Sequence, residues 1–182
     1  MYYYQALQRN ATRLGDTIGT SFGDQEKTWK EVENRVAKLA GALVKLGISK
    51  QSHVAILAMN SDKYFEYYNA IPWAGSVVVP LNIRWSLQEN IYSLKDSQSS
   101  VLFVDDVFLG MAEALIAKCE QIKFVIYMGN KETPKGMFNY EQLVKDATPM
   151  PPSKDSYDDL AGIYYTGGTT GFPKGVMLSH AN

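Results

Sequence analysis

His53-Val54-Ala55-Ile56-Leu57-Ala58-Met59 is an apolar run of strand length, and Ser76-Val77-Val78-Val79 is a second one. Between them stands Ser61, a residue type that caps helices, followed by Tyr64, Phe65 and Tyr68 at helical spacing. Pro72 is expected to end or kink that helix, because it lacks an N–H and its ring crowds the preceding turn. Two such strands joined through a helix imply a crossover, and crossovers imply a parallel sheet covered on both faces.

The same alternation extends in both directions. Upstream, Thr28-Trp29-Lys30-Glu31 is a capping box, in which Thr and Glu satisfy each other's backbone N–H groups. Val32, Val36, Leu39, Leu43 and Leu46 then form one helical stripe, and Gly47 supplies a left-handed residue to end it. Downstream, Ser86-Leu87-Gln88-Glu89 repeats the capping box, with Leu87, Ile91 and Leu94 on one face. Val101–Val104 reads as a strand, and Phe108, Met111 and Leu115 mark a helix. Lys123–Tyr127 is the next strand, followed by a short helix over Tyr140–Lys145. The expected fold class is α/β, a largely parallel sheet flanked by helices on both faces.

The composition changes at Thr148-Pro149-Met150-Pro151-Pro152-Ser153, which reads as a connector. Residues 1–150 are expected to form an α/β amino-terminal subdomain and 151–160 a linker. Residues 161–182 are expected to be a hairpin starting a further subdomain, with strands at Leu160–Tyr165 and Val176–Leu178.

Composition narrows the function classes. The 182 residues are 46% hydrophobic and 20% charged, with a formal net charge of -1, as in an ordinary globular chain. The basic residues are scattered, so there is no electrostatic footprint for nucleic acid. The longest apolar run, from Ala70 to Leu81, is too short to span a bilayer and is interrupted by Pro72 and Gly75. Met1-Tyr2-Tyr3-Tyr4-Gln5 lacks the features of a signal peptide. Cys119 is the only cysteine and reads as core filler, which suits a reducing, cytoplasmic location.

The chemistry lies in Tyr165-Thr166-Gly167-Gly168-Thr169-Thr170-Gly171-Phe172-Pro173-Lys174-Gly175. Its glycines allow close backbone approach, successive N–H groups in such a turn attract anions, and Lys174 adds a full positive charge. Thr166, Thr169 and Thr170 add hydroxyls for phosphate oxygens or for metal-bound water. It is not a Walker A loop, since Lys174 is followed by Gly175 and a strand, and no G-x-G-x-x-G is present. Composition alone leaves two readings, an anion-binding loop and a structural glycine-rich surface turn.

Tyr165 to Val176 resembles the signature phosphate loop of the adenylate-forming (acyl-CoA synthetase, AMP-binding) superfamily, whose usual form is Tyr-Thr-Ser-Gly-Ser/Thr-Thr-Gly-x-Pro-Lys-Gly-Val. Gly167 departs from the commoner Ser, as in some medium- and long-chain acyl-CoA synthetases. Trp73-Ala74-Gly75-Ser76-Val77-Val78-Val79-Pro80-Leu81-Asn82 and Thr28–Val32 with Leu39–Leu43 resemble further family motifs, as do Asp158-Asp159-Leu160-Ala161 and Ser179-His180-Ala181-Asn182. Pro80, Asn82, Asp158, Asp159 and His180 read more simply as strand-end, turn, solvated or structural residues.

The resemblance implies ATP, Mg²⁺ and coenzyme A as cofactors and a carboxylic acid, most like a fatty acid, as substrate. It implies phosphate binding by Thr166, Gly167, Gly168, Thr169, Thr170, Gly171 and Lys174. No catalytic residue and no metal ligand is assigned within these residues. The resemblance covers roughly the first third of such an enzyme. The chain is therefore expected to be an amino-terminal fragment, inactive alone, with a loop mobile without nucleotide and an exposed apolar face prone to self-association. A non-catalytic nucleotide- or partner-binding module, an aryl-CoA ligase, a fatty acyl-AMP ligase and an amino-acid adenylation domain stay open.

Overall fold

The computed structural model describes residues 2–154, 156–167 and 171–182. The chain runs α1 (Gln5–Leu14), β1 (Ile18–Phe22), β2 (Gln25–Thr28), α2 (Trp29–Lys45), β3 (His53–Leu57), α3 (Asp62–Trp73) and β4 (Val77–Pro80). It continues through α4 (Leu87–Asp96), β5 (Val101–Val104), α5 (Leu109–Lys118), β6 (Phe124–Tyr127), β7 (Phe138–Asn139) and α6 (Tyr140–Asp146). It ends with β8 (Leu160–Thr166) and β9 (Lys174–Ser179). Seven strands form one sheet in the order β7-β6-β5-β3-β4-β8-β9, parallel throughout except for the β8–β9 hairpin.

The period-2 alternation of the central strands divides the core into two layers. Val54, Ile56, Val78, Phe103 and Ile126 point toward α1, α2, α3 and α6. Ala55, Leu57, Val77, Val79, Leu102 and Val104 point toward α4 and α5. Helices on both faces are what the uninterrupted apolar runs require.

Both capping boxes form: Thr28 and Ser86 accept from the N–H groups of Glu31 and Glu89, whose carboxylates reach back. Gly47 adopts φ 86° just after α2, the left-handed stop its position predicts. α3 ends at Trp73, one residue past Pro72, close to where the proline is expected to end it, because Pro72 cannot donate to the carbonyl four residues back. α1 and the antiparallel β1–β2 hairpin are additions to the sequence-based expectation.

The connector is stitched to the helices it crosses. Met150 N–H donates to Ala37 O at 3.1 Å, Ser153 N–H donates to Trp73 O at 2.7 Å, and the Trp73 indole donates to Met150 O at 2.9 Å. Gly41 makes room for this crossing, since a Cβ there would lie 2.5 Å from Thr148 O. β8 then enters the sheet beside β4, with Val78 opposite Gly162. The stretch expected to open a further subdomain is thus hydrogen-bonded into the sheet of residues 1–150. The second arm begins at Lys174, two residues earlier than its apolar run suggests, because its first pairs rest on backbone bonds to Thr166 and Tyr165.

Candidate functional site

The glycine-rich loop sits at the tip of the β8–β9 hairpin. The register places Thr166 opposite Lys174 and Tyr165 opposite Gly175, so the last residues of one arm face the first of the other. Thr166 and Lys174 are both exposed, and the Thr166 hydroxyl donates to Lys174 O at 3.5 Å. Gly171 has φ 101°, a backbone region nearly closed to residues with a Cβ. Gly167 has no such constraint, and a Cβ there would meet nothing within 4 Å, so Ser would fit. Among the described residues no ion pair involves Lys174. The hairpin therefore brings together Thr166, Gly167, Gly171 and Lys174. Gly168, Thr169 and Thr170, and with them the expected mobility of the loop, lie outside the described residues.

Alternation along β8 ties its two faces to different parts of the fold. Tyr164 turns toward α1 and α3, and its hydroxyl meets that of Tyr3 at 2.5 Å. Tyr165 turns the other way and donates to Asp96 Oδ2 on α4 at 2.7 Å. Burial raises both phenols above the usual tyrosine range, and these hydrogen bonds add to the shift. In the loop, the Phe172 ring stacks on Tyr92 of α4, centroids 4.7 Å apart and 19° from parallel.

Asn82, Asp159 and His180, read as turn, solvated and structural residues, are each held by their neighbours. Asn82 Oδ1 accepts from Arg84 N–H at 3.0 Å, a local turn. Asp159 pairs with Lys50 at 2.8 Å and accepts from Ser156 N–H; the Lys50 bond holds its carboxyl below the usual range. His180 is buried, with its ring edge-on to Tyr2 at 5.1 Å and its backbone N–H donating to Asp159 O. Cys119 is fully buried, and burial pushes its thiol up, as befits core filler.

Sequence reasoning misses a cavity of about 650 Å³ at the carboxyl ends of β3, β5 and β6. From β3 the chain crosses to β4 on one side and later to β5 on the other, and ligands of open α/β sheets favour the crevice at such a reversal. Its basic groups are paired with acidic ones, while Asp105 and Asp106 accept from backbone N–H groups. Lys27 pairs with Asp62, whose carboxyl burial would raise but whose bond to Lys27 holds it low. Arg35 binds buried Glu66 at 2.7 Å and clasps Glu141 through both terminal nitrogens at 3.0 Å. The signal available in sequence is the switch from apolar to polar at each strand end, Met59-Asn60-Ser61-Asp62 and Val104-Asp105-Asp106.

A mostly parallel sheet with helices on both faces and a Gly/Thr/Lys hairpin loop at its edge defines the class. The sequence matches the AMP-binding enzyme family over residues 7–182, and the chain belongs to that family. It is 31% identical over 186 residues to 4-hydroxybutyrate–CoA ligase 2 of Metallosphaera sedula, covering 96% of this chain and 33% of that protein. It is 31% identical over 182 residues to the medium-chain-fatty-acid–CoA ligase of Ectopseudomonas oleovorans, again covering 96% and 33%. The fold superposes on the crystal structure of an anthranilate CoA ligase in complex with anthranoyl-AMP at a TM-score of 0.91. That match has 24% identity and covers 99% of this chain and 35% of the other. The chain thus spans about a third of the length of the curated relatives it matches.

Proposed function

We propose that this chain supplies the triphosphate-binding loop of an ATP-dependent acid–thiol ligase. In that reaction a carboxylate attacks the α-phosphate of ATP, giving an acyl-adenylate and pyrophosphate, and the coenzyme A thiol then displaces AMP. The observation that carries the reading is the hairpin tip, which sets exposed Thr166 against exposed Lys174 around a glycine turn, in a chain of the AMP-binding family.

Backbone N–H groups, hydroxyls and one ammonium around the β- and γ-phosphates would orient ATP and offset the charge growing on departing pyrophosphate. Thr166, Gly167, Gly168, Thr169, Thr170, Gly171 and Lys174 are assigned to this task. None acts as a general base, and a carboxylate ionised at neutral pH needs none. Among the described residues no group of three His, Cys, Asp or Glu stands together as a metal site. Mg²⁺ would accompany the triphosphate and offset its charge, and the hydroxyls of Thr166, Thr169 and Thr170 would serve phosphate oxygens or metal-bound water.

Within this chemistry we assign a medium- or long-chain fatty acid as substrate, on Gly167 and the medium-chain relative. The compartment is taken as the cytoplasm, on the single buried cysteine. With a third of the relatives' length, the 182 residues by themselves are proposed not to adenylate. Val176 and Met177, exposed on edge strand β9, are the proposed point of self-association.

The test is acid-dependent ATP–pyrophosphate exchange by the protein its gene encodes, over a panel of short, medium, long and aromatic acids, with Lys174→Ala beside it. Exchange with fatty acids that Lys174→Ala abolishes supports the reading. Triphosphate binding without exchange for any acid would make it a non-catalytic nucleotide module. Indifference of triphosphate affinity to Lys174→Ala would return the loop to a structural turn.

A further inference from the structure

We propose that α4 is the brace of the phosphate loop, with Tyr92 and Asp96 as positioning residues that hold its two arms through Phe172 and Tyr165. The inference rests on the reading of the loop as a triphosphate site. Residues four apart on a helix lie on one face, so Tyr92 and Asp96 present adjacent grips. Asp96 accepts from Tyr165, the residue before the loop on the rising arm. Tyr92 stacks on Phe172, just before Lys174 on the returning arm.

The helix is a firm base. Its first turn is closed by the Ser86–Glu89 capping box, and Asn90, Ser93 and Leu94 are buried on its inner face. The described part of the returning arm has less support of its own. Gly171 leaves the returning arm conformationally free, and Phe172 keeps 65% of its surface exposed. A large apolar side chain held by one ring, outside any core, adds little to fold stability. It does restrict where the backbone leading to Lys174 can go. On this account Phe172 sets the position of the Lys174 ammonium and Tyr92 sets that of Phe172.

The experiment is a double-mutant cycle in the protein its gene encodes, with Tyr92→Ala, Phe172→Ala and the pair, plus Tyr92→Phe and Lys174→Ala. MgATP affinity is measured by calorimetry, KM for acid and for ATP from pyrophosphate exchange, and Tm alongside. Each single alanine variant is expected to weaken MgATP binding and raise KM for ATP about three- to tenfold, the range of an aromatic pair. KM for the acid should hold, the double variant should be no worse than either single, and Tyr92→Phe should restore affinity. Unchanged ATP affinity in Phe172→Ala, or additive losses in the pair, would overturn the brace while a large Lys174→Ala effect left the loop reading standing. No effect from Lys174→Ala would instead overturn the loop reading. Phe172 is exposed, so its variant folds even if Tyr92→Ala does not.

Discussion

Adding one methyl group at two different glycines should change stability in opposite directions. Gly162 is the residue of β8 whose register with β4 is defined, opposite Val78. A Cβ there would fall 2.8 Å from Val78 Cγ2 and 2.6 Å from Tyr164 Cε2. Neither neighbour can yield freely. Val78 is β-branched and fully buried, and the far end of Tyr164 is tied to the Tyr3 hydroxyl. Overpacking of this kind costs about 1–3 kcal/mol. For a domain of this size that is a fall in Tm of roughly 2–12 °C. Gly110, in α5, has nothing within 4 Å of its notional Cβ. Gly110→Ala should therefore gain about 0.4–1 kcal/mol from helix propensity and lost unfolded-state freedom. Urea denaturation of the three proteins, with equal m-values, gives both numbers. A Gly162→Ala protein within about 0.5 kcal/mol of the parent would refute the reasoning, because the joint between sheet and hairpin would then not be close-packed.

Arg35→Ala should destabilise by about 3–5 kcal/mol, since it leaves the buried Glu66 carboxylate with the Tyr140 hydroxyl but no cation; chemical denaturation measures it. Tyr67→Phe should cost about 1–3 kcal/mol by the same assay, because its buried hydroxyl donates to Val54 O and accepts from Val79 N–H, joining β3 to β4. Glu31 and Glu89 titrate below the usual glutamate range, owing to bonds from Thr28 and Ser86 respectively. Their contribution is therefore full above the ordinary glutamate pKa and lost as pH falls through the lowered values. Gln at both positions should flatten that acid limb of the stability curve. Gly167→Ser should leave Tm within about 1 °C, since its side chain enters open space; a larger drop would contradict that geometry.

The parts legible in sequence are those where local and tertiary signals agree. α2 is written twice, in the Thr28–Glu31 box and in the stripe from Val32 to Leu43, and it forms where both indicate. β3 to β6 are legible because strands covered on both faces must be apolar throughout. The β1–β2 hairpin is not, because its residues are exposed or half-exposed on both faces and no alternation marks them. Gly23-Asp24, with Gly23 at φ 58°, is the turn signal that could have found it. α1 has only Leu7 and Ala11 buried and no side-chain cap at Tyr4, so it is held by docking rather than by its own sequence. At the candidate site, the residue types of the loop are readable along the chain. Its support is not, because Tyr92 and Phe172 meet only once the sheet has placed β8 beside α4.

The place of β4 between β3 and β8 has a consequence for synthesis of the chain. Val77, Val78 and Val79 are sealed on both sides in the finished sheet, but their second neighbour is encoded far downstream, at Gly162. While the intervening residues are translated, β4 is an apolar edge without a partner, a template for pairing with another nascent chain. At about 5–20 residues per second, that interval is on the order of ten seconds. Ribosome pausing before the codon for Gly162 would lengthen the exposure, and a chaperone engaging the nascent chain in that window would shorten it.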